Sequence, residues 1–299
     1  MEKNITIMGI PMDLGQRHKG VDLGPDAIRY AGVKERLEML GCKVTDIKNI
    51  PIGRAEQLQD DEANLRNLKA VAKASEEIAR QADQIVKSRS FPLILGGDHS
   101  IAIGSIAGIS KHYKNLGAIW FDAHADMNIP ETSPSGNIHG MPLAASLGLG
   151  HSALTGIYGY APKIKPEHIV LIGQRDLDEG EKDLIRKLGI KTYTMHEIDR
   201  FGMEKVMCES IAYLKDKTDG IHLSLDLDAL DPQEAPGVGT PVYGGLSFRE
   251  SRFAMELLHE ADTVVSAEFV ETNPILDHRN KTARKAVQLM ESLFGKKLL

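Results

Sequence analysis

Metal-competent side chains follow one short apolar stretch of this sequence. Residues 116–121 are apolar and aromatic-rich, which is typical of a buried strand, and Asp122, His124 and Asp126 come directly after them at a spacing of two. Alternate side chains of an extended backbone share one face. The three groups are therefore expected to converge where the strand leaves the core. The alternative is a polar strand-to-loop exit, in which the Asp side chains only bond turn amides.

Two further apolar stretches end in the same residue types. Residues 91–95 lead through Gly96, Gly97 and Asp98 to His99, and residues 220–225 lead into Asp226 and Asp228, again two apart. In open α/β sheets, ligands bind outside the carboxyl ends of the strands. A lone His or Asp at a strand end usually bonds backbone or solvent, but that reading does not suit six such groups at three strand ends. The six expected ligands are His99, Asp122, His124, Asp126, Asp226 and Asp228.

This set of ligands favours a dinuclear metal site. Two imidazoles and four carboxylates are too many for one catalytic zinc with an open position, but they suit two ions that share bridging carboxylates. Carboxylate-rich ligation favours manganese or magnesium, and the imidazoles favour manganese. Two ions about 3.5 Å apart can hold a bridging hydroxide and clamp a tetrahedral intermediate. Four carboxylates and one hydroxide against two divalent ions leave about one net negative charge, which suits a cationic substrate better than a phosphate.

The sequence that positions these residues alternates strand-like and helix-like segments. The predicted strands are 5–9, 43–47, 91–95, 116–121, 168–173, 190–194, 220–225 and 263–270. The predicted helices begin near Pro25 and then cover 61–88, 100–113, 139–147, 179–188, 198–217, 247–260 and 281–294. This alternation predicts a parallel sheet covered by helices on both faces. A closed eight-fold barrel has similar counts and is the alternative fold.

Composition narrows the class of protein. The 299 residues are 42% hydrophobic and 26% charged, which is typical of a globular protein with a full core. A net charge of -6 without a long basic run argues against nucleic acid or an anionic membrane as partner. No apolar run has transmembrane length, no signal segment begins the chain, and the two cysteines, Cys42 and Cys208, are far apart. These features predict a cytoplasmic protein, and without a linker or repeat we expect residues 1–299 to form one domain.

Three segments of the chain together resemble the ureohydrolases. They are Gly-Gly-Asp-His-Ser at 96–100, Asp-Ala-His-Ala-Asp at 122–126 and Ser-Leu-Asp-Leu-Asp-Ala-Leu-Asp-Pro at 224–232. The loop Ser-Pro-Ser-Gly-Asn-Ile-His-Gly-Met-Pro at 133–142 is similar to that of the arginases of Bacillus type. The resemblance implies a three-layer α/β/α fold with an eight-stranded parallel sheet, two Mn²⁺ per subunit, and a homo-oligomer, either a trimer or a hexamer. It also implies hydrolysis of L-arginine to L-ornithine and urea, through attack of a metal-bridging hydroxide on the guanidinium carbon.

The resemblance distributes the ligands between two manganese ions. One ion would bind His99, Asp122, Asp126 and Asp226, and the other would bind Asp122, His124, Asp226 and Asp228. Asp122 and Asp226 would therefore bridge the ions. Asp126 would lie near the bridging oxygen and pass a proton, and His139 would carry protons between the site and solvent, since its reference pKa lies near neutrality.

The resemblance also assigns contacts to the substrate. Glu271 would receive the guanidinium, which stays protonated in proteins, and Glu268 would lie near it on the same wall. The remaining contacts are Asn128, Ser135 and Asn137 to the α-carboxylate, Asp178 to the α-amino group, Glu181 through water, and Thr240 at a further position. Ordinary turn chemistry is the alternative for the α-carboxylate residues, and a helix N-cap is the alternative for Asp178.

Three departures from close Bacillus relatives leave the metal ligands unchanged. Ala125 and Ala229 stand where Gly is usual, and His18-Lys19 stands where Arg-Arg is usual. Ala229 would preserve its turn unless φ is positive there.

Agmatinase is an alternative activity, as are other guanidino-compound hydrolases, but agmatine has no carboxylate for Asn128, Ser135 and Asn137 to bind. A non-catalytic metal-binding scaffold is a third alternative, and the complete ligand set argues against it.

Overall fold

The protein is described here by a computed structural model that covers residues 3–53 and 65–297. Its strands are β1 (Asn4–Gly9), β2 (Lys43–Asn49), β3 (Phe91–Leu95), β4 (Leu116–Phe121), β5 (Ile169–Gln174), β6 (Lys191–Thr194), β7 (Gly220–Asp226) and β8 (Val264–Val270). Its α-helices are α1 (Gly24–Tyr30), α2 (Val33–Glu38), α3 (Leu68–Lys87), α4 (Ala102–Ser110), α5 (Pro142–Ser146), α6 (Ser152–Thr155), α7 (Glu179–Leu188), α8 (Met195–Phe201), α9 (Met203–Lys215), α10 (Phe248–Ala261) and α11 (Lys281–Leu293).

The eight strands form one open sheet in the order β2-β1-β3-β8-β7-β4-β5-β6. Each neighbouring pair is parallel. The predicted parallel sheet is thus confirmed, and the alternative of a closed barrel is wrong, because β2 and β6 lie at opposite edges instead of pairing with each other. All strands point the same way, so their carboxyl ends share one edge of the sheet.

Apolar side chains cover both faces of this sheet. Along β4, Ile119 and Phe121 belong to one buried cluster, which contains residues of α1, α2, α9, α10 and α11. Ala118 and Trp120 belong to the other cluster, which contains residues of α3, α4 and α5. Alternate residues therefore enter opposite cores, which explains why the strand sequence is apolar throughout instead of alternating with polar residues.

Several predicted helices are shorter or interrupted. The predicted helix 198–217 is two helices, α8 and α9, because Gly202 between them has a φ of 79° and leaves the helical region. The predicted helix 100–113 begins as a 3-10 turn, His99–Ile101, before α4. The predicted helix 139–147 is likewise the 3-10 turn Ile138–Gly140 followed by α5. Of the predicted helix 61–88, residues 61–64 lie outside the described ranges, and α3 begins at Leu68.

The proposed site lies at the carboxyl edge of the sheet, at its centre. The carboxyl ends of β3, β8, β7 and β4, which are adjacent in the sheet, and the segments that follow them carry the predicted ligands and Glu271. Within residues 3–53 and 65–297, the helices are all too short or too polar to cross a membrane.

Candidate metal centre and active site

The six predicted ligands meet in one buried cluster. Nδ1 of His99 lies 3.1 Å from Oδ2 of Asp122, 2.9 Å from Oδ2 of Asp126 and 3.3 Å from Oδ2 of Asp226. Nδ1 of His124 lies 3.3 Å from Oδ1 of Asp122. The prediction that three strand ends bring these groups together is confirmed.

Asp122 joins two halves of the cluster. Its Oδ2 faces His99, while its Oδ1 faces His124, and Nδ1 of His124 also lies 3.2 Å from Oδ2 of Asp228. Two triplets therefore share one carboxylate: His99, Asp122 and Asp126 in one, and Asp122, His124 and Asp228 in the other. Asp226 faces His99 with Oδ2, and its Oδ1 accepts the backbone N–H of Asp228 at 2.7 Å.

The donor set fits two divalent cations. Nδ1 of His99 and Oδ2 of Asp126 are buried without a hydrogen bond in the described part of the chain, which is costly unless another group satisfies them. Burial and the charge of Asp122 raise the pKa of Asp126 to about 6. Burial opposes charge on both imidazoles, but the surrounding carboxylates raise the pKa of His99 and His124. The cluster thus holds an excess of negative charge that cations would neutralise.

A second layer of side chains orients His99. Its ring stacks on the indole of Trp120, with centroids 4.3 Å apart and planes 5° from parallel, and the indole Nε1 donates to Oδ2 of Asp122 at 3.1 Å. On the other side of the imidazole, Nε2 lies 2.8 Å from Oγ of Ser224, which donates to Glu268 at 2.8 Å. This layer was not predicted from the sequence.

Glu268 does not lie on the wall formed by Glu271, where we expected it. Its carboxylate accepts from Ser224 and, at 2.5 Å, from Ser105 of α4, and it lies 3.3 Å from Nε2 of His222. It is fully buried, and although burial acts in the opposite sense, His222 and these donors lower its pKa. The reason is the strand geometry: Glu268 lies within β8 and points towards α4, whereas Glu271 follows the strand.

Two acidic residues of the site have left-handed backbones. Asp126 has a φ of 53° and Glu271 a φ of 63°. Such a conformation is uncommon for residues with a Cβ and persists where surrounding contacts hold it, often at functional sites. Here the carbonyl of Asp126 accepts the N–H of Leu143 at 3.1 Å, and the N–H of Glu271 donates to Gly97 at 2.9 Å. The backbone is therefore fixed where both carboxylates turn into the site.

A cavity of about 640 Å³, its open mouth included, leads to the cluster. Its lining includes the expected site residues Asn128, Ser135, Asn137, His139, Asp178, Glu181 and Thr240, together with Asp176. The same cavity is lined by five of the six proposed metal ligands, all but Asp122. The roles of these residues remain predictions. Its polar, carboxylate-rich lining suits a small charged molecule.

Glu271 lies behind this lining. Its Oε1 accepts the N–H of His99 at 2.9 Å and lies 3.1 Å from Nδ1 of His139, and its Oε2 accepts from Nε2 of Gln16 at 2.8 Å. Burial opposes charge on His139, but the bond to Glu271 prevails and raises the pKa of His139 to about 9. Asp98, a buried neighbour, accepts the N–H of Gly15 at 2.8 Å. Gln16 is thus a further site residue that sequence reasoning missed.

Asn128, Asp178 and Glu181 form one hydrogen-bonded wall. Nδ2 of Asn128 donates to Oδ2 of Asp178 at 2.8 Å. Asp178 is the N-cap of α7, as the alternative interpretation of this residue expected, and its backbone N–H donates to Glu181 at 2.9 Å. Glu181 also accepts the N–H of Met127 at 3.0 Å, and burial raises its pKa to about 7. Elsewhere in the lining, Oγ1 of Thr240 donates to Oδ2 of Asp228 at 3.0 Å.

The departures at Ala125 and Ala229 are compatible with this geometry. Both side chains are fully buried. Ala229 lies in the 3-10 turn Leu227–Ala229, and neither residue is among those with positive φ. The turn after β7 therefore does not require glycine. For His18-Lys19, the ammonium of Lys19 lies 3.1 Å from Asp13 at the surface.

Comparison with known proteins decides the family. The sequence model described as the arginase family matches residues 3–295. The chain is 67% identical over 298 residues to a protein named arginase from Bacillus caldovelox, covering 99% of this chain and all of that one. It is 60% identical over 299 residues to a protein named arginase from Bacillus subtilis strain 168, covering both chains completely.

The chain belongs to the arginase family. It is therefore a hydrolase, as the resemblance in its sequence implied. The solved structure of arginase from Bacillus caldovelox superposes with a TM-score of 0.97 at 67% identity, covering 99% of this chain and all of that one. The predicted α/β fold with an eight-stranded parallel sheet is thus the arginase fold.

Proposed function

We propose that this arginase-family hydrolase converts L-arginine and water to L-ornithine and urea. The observation that carries the proposal is one cavity that joins a buried cluster of carboxylates and imidazoles to neutral hydrogen-bonding side chains, Asn128, Ser135 and Asn137. A substrate with a cationic guanidinium and an α-carboxylate matches both ends. The full-length identity with proteins named arginase supports the same reaction.

The proposed cofactor is a pair of manganese ions. The first would be held by His99, Asp122, Asp126 and Asp226, and the second by Asp122, His124, Asp226 and Asp228. When bound, the ions would lower the pKa of a water molecule, so that it attacks the guanidinium carbon as hydroxide. The two oxygens of Asp122 face different imidazoles, which supports its bridging role. Only Oδ2 of Asp226 faces an imidazole, while its Oδ1 accepts the N–H of Asp228. The bridging role of Asp226 therefore rests on the resemblance.

The residues around the cluster would orient the substrate. Asn128, Ser135 and Asn137 would donate to the α-carboxylate, and Asp178 would accept from the α-amino group, with Glu181 acting through water. Thr240, bonded to Asp228, would flank the reacting end of the substrate. Glu271 would stabilise the guanidinium from behind the lining, with Gln16 and the N–H of His99 fixing its carboxylate.

His139 would move the proton that the leaving amine needs. It lies in the cavity lining and its Nδ1 is 3.1 Å from Glu271. The bond to Glu271 outweighs burial and raises the pKa of His139 to about 9, so the metal-free imidazole holds a proton at neutral pH. Asp126, whose backbone is fixed, would lie near the reacting oxygen, accept a proton from it and pass that proton on. Ornithine would then leave as an amine.

We further propose that residues 1–299 act as one catalytic domain in the cytoplasm. All eight strands belong to one sheet, and the proposed site residues lie on segments connected to its strands, which supports a single domain. A homo-oligomer, trimer or hexamer, follows from the resemblance and is testable by light scattering of the purified protein.

The test is to incubate the purified protein with manganese and to measure urea from L-arginine and from agmatine. We expect much more urea to be released from L-arginine than from agmatine. Urea mainly from agmatine would keep the dinuclear centre but reject the α-carboxylate contacts. Urea from neither substrate, with manganese bound, would reject the proposed activity.

A further inference from the structure

Arg66 contacts the loop that carries the proposed α-carboxylate donors. The Nε of Arg66 donates to Oδ1 of Asn137 at 3.2 Å. The backbone N–H of Arg66 donates to the carbonyl of Gly136 at 3.0 Å. Arg66 is not among the residues that line the cavity, so any effect on a substrate would pass through this loop.

The backbone around Arg66 is anchored. Leu65 and Leu68, on either side of it, are buried in the apolar cluster that covers one face of the sheet. Between them, Nδ2 of Asn67 donates to the carbonyl of Leu14 at 2.9 Å. The backbone that carries the Arg66 side chain is therefore fixed beside the loop.

The loop itself is held by its own serines. Gly136 has a φ of 69°, and its N–H donates to Oγ of Ser133 at 3.0 Å. The N–H of Asn137 donates to Oγ of Ser135 at 3.2 Å. These bonds fix the backbone but leave the amide of Asn137 free to turn, so another contact must decide which of its ends faces the cavity.

The contact with Arg66 makes that decision. A guanidinium carries only donors, and an Asn amide has one accepting end and one donating end. Oδ1 must therefore face Arg66, since the reverse orientation would oppose two sets of N–H groups. Asn137 lines the cavity, so Nδ2 with its two hydrogens is the end left for an anionic ligand.

We propose that Arg66 is a positioning residue that sets the selectivity of this site for substrates with an α-carboxylate. It acts through Asn137, whose Nδ2 it turns towards the cavity, and its positive charge polarises that amide. A substrate without the carboxylate gains nothing from this arrangement. The inference rests on the proposed function, because it assumes that Asn137 meets the α-carboxylate of arginine.

Two substitutions separate orientation from bulk. Arg66→Met keeps an unbranched side chain but removes the donors and the charge, whereas Arg66→Lys keeps a charge that can still donate to Oδ1. We expect Arg66→Met to raise the KM for L-arginine about 10-fold, the effect of one lost hydrogen bond to a charged group, with little change in kcat. Arg66→Lys should recover part of this loss. Arg80→Met is the matched control, since Arg80 pairs with Glu77 on the exposed side of α3.

Product binding gives a readout apart from turnover. Inhibition by L-ornithine should weaken about as much as the KM rises, while inhibition by 1,4-diaminobutane, which lacks the carboxylate, should not change. The double variant Arg66→Met, Asn137→Ala should bind L-ornithine no worse than Asn137→Ala alone, because both changes remove the same contact.

Two results would overturn the proposed role of Arg66 but leave the proposed function of the enzyme intact. One is an equal loss for L-ornithine and 1,4-diaminobutane in Arg66→Met. The other is an additive loss in the double variant. A wild-type enzyme that does not prefer L-arginine to agmatine, or L-ornithine to 1,4-diaminobutane, would instead reject the proposed α-carboxylate contacts, and the role of Arg66 with them.

Discussion

The Oγ of Ser224 lies 2.8 Å from Nε2 of His99, on the side of the ring that faces away from the carboxylate cluster. Because Ser224 donates its own proton to Glu268, it can only accept from His99. A neutral His99 imidazole must then carry its proton on Nε2, which leaves the lone pair of Nδ1 for a bound metal ion. Outer contacts of this kind typically contribute 10- to 100-fold to metal affinity.

Ser224→Ala should therefore weaken manganese binding about 10-fold or more. The measurement is a calorimetric titration of the metal-free protein with manganese. Ser210→Ala is the control, because Ser210 is also buried but bonds the carbonyl of Val206 within α9. An unchanged affinity in Ser224→Ala would show that His99 is oriented without this bond.

Asp126→Asn should weaken manganese binding and reduce urea release. Oδ2 of Asp126 lies 2.9 Å from Nδ1 of His99 and has no hydrogen bond in the described residues, so it is available to a bound metal ion. We expect the affinity to fall by at least the ~10- to 100-fold typical of an outer contact. Metal content by atomic absorption and the rate of urea release give the measurement. Unchanged metal content and rate would remove Asp126 from the ligand set.

The same substitution should stabilise the metal-free protein near pH 7. Burial and Asp122 raise the pKa of Asp126 from 3.8 to about 6, so its ionisation lowers the stability of the fold progressively as the pH rises from 3.8 to about 6. Asn cannot ionise, and it removes this repulsion. Thermal unfolding of the metal-free wild type and variant at pH 5 and pH 7.5 would reveal the effect as a gap that widens with pH. A higher melting temperature for the wild type at pH 7.5 would contradict it.

Manganese should stabilise the fold strongly. The metal-free cluster brings four carboxylates together, and bound cations would relieve their repulsion. At a free concentration 100 times its Kd, each ion adds about 2.7 kcal/mol, which corresponds to a rise in Tm on the order of 5 °C. Scanning calorimetry of the protein with and without manganese is the measurement. An equal shift with sodium at the same ionic strength would indicate screening instead of binding.

Asp83, which lies outside the proposed site, makes the stability of the fold depend on pH in the acid range. Its carboxylate bonds Lys87 at 2.6 Å, His112 at 2.7 Å and Tyr158 at 2.8 Å. Burial acts in the opposite sense, but these donors lower the pKa of Asp83 from 3.8 to about 2. A lowered pKa stabilises the protein above pH 4, and this stabilisation is lost as the pH falls towards 2.

Asp83→Asn should therefore cost about 1–2 kcal/mol of unfolding free energy at pH 6, less than the full shift in pKa implies because Lys87 is exposed. The difference between variant and wild type should shrink between pH 4 and pH 2.5. Urea unfolding at a series of pH values gives both numbers. A difference that stays constant over this range would mean that the hydrogen bonds, not the charge, stabilise this contact.

The positions of the strands along the chain could be predicted from the sequence, but their order in the sheet could not. Apolar runs such as Phe91–Leu95 and Leu116–Phe121 are buried on both faces, so composition alone marks them. Their order in the sheet depends on pairing between distant segments, about which local patterns carry no information. The break at Gly202 had a signal, because glycine within a helical pattern weakens the helix.

The positions of the six proposed metal ligands were predictable for a related reason. They lie at or shortly beyond the carboxyl ends of strands, and parallel strands end at one edge. The outer residues were not, because their roles arise only when distant segments meet: Ser224 is 125 residues from His99, and Gln16 is 255 residues from Glu271. Glu268 was placed wrongly since its distance along the chain from Glu271 says nothing about which way a strand residue points.

The position of the ligands in the sheet also has a consequence for how a bound ion would leave. All six lie at or beyond the carboxyl ends of β3, β4 and β7, which are in the interior of the sheet, while β2 and β6 form the edges. Fraying of an edge strand would therefore not release an ion, and opening of the interior strands approaches global unfolding. Capture of manganese by a chelator should be slow, and its rate should depend on side chains at the cavity mouth rather than on mild denaturant.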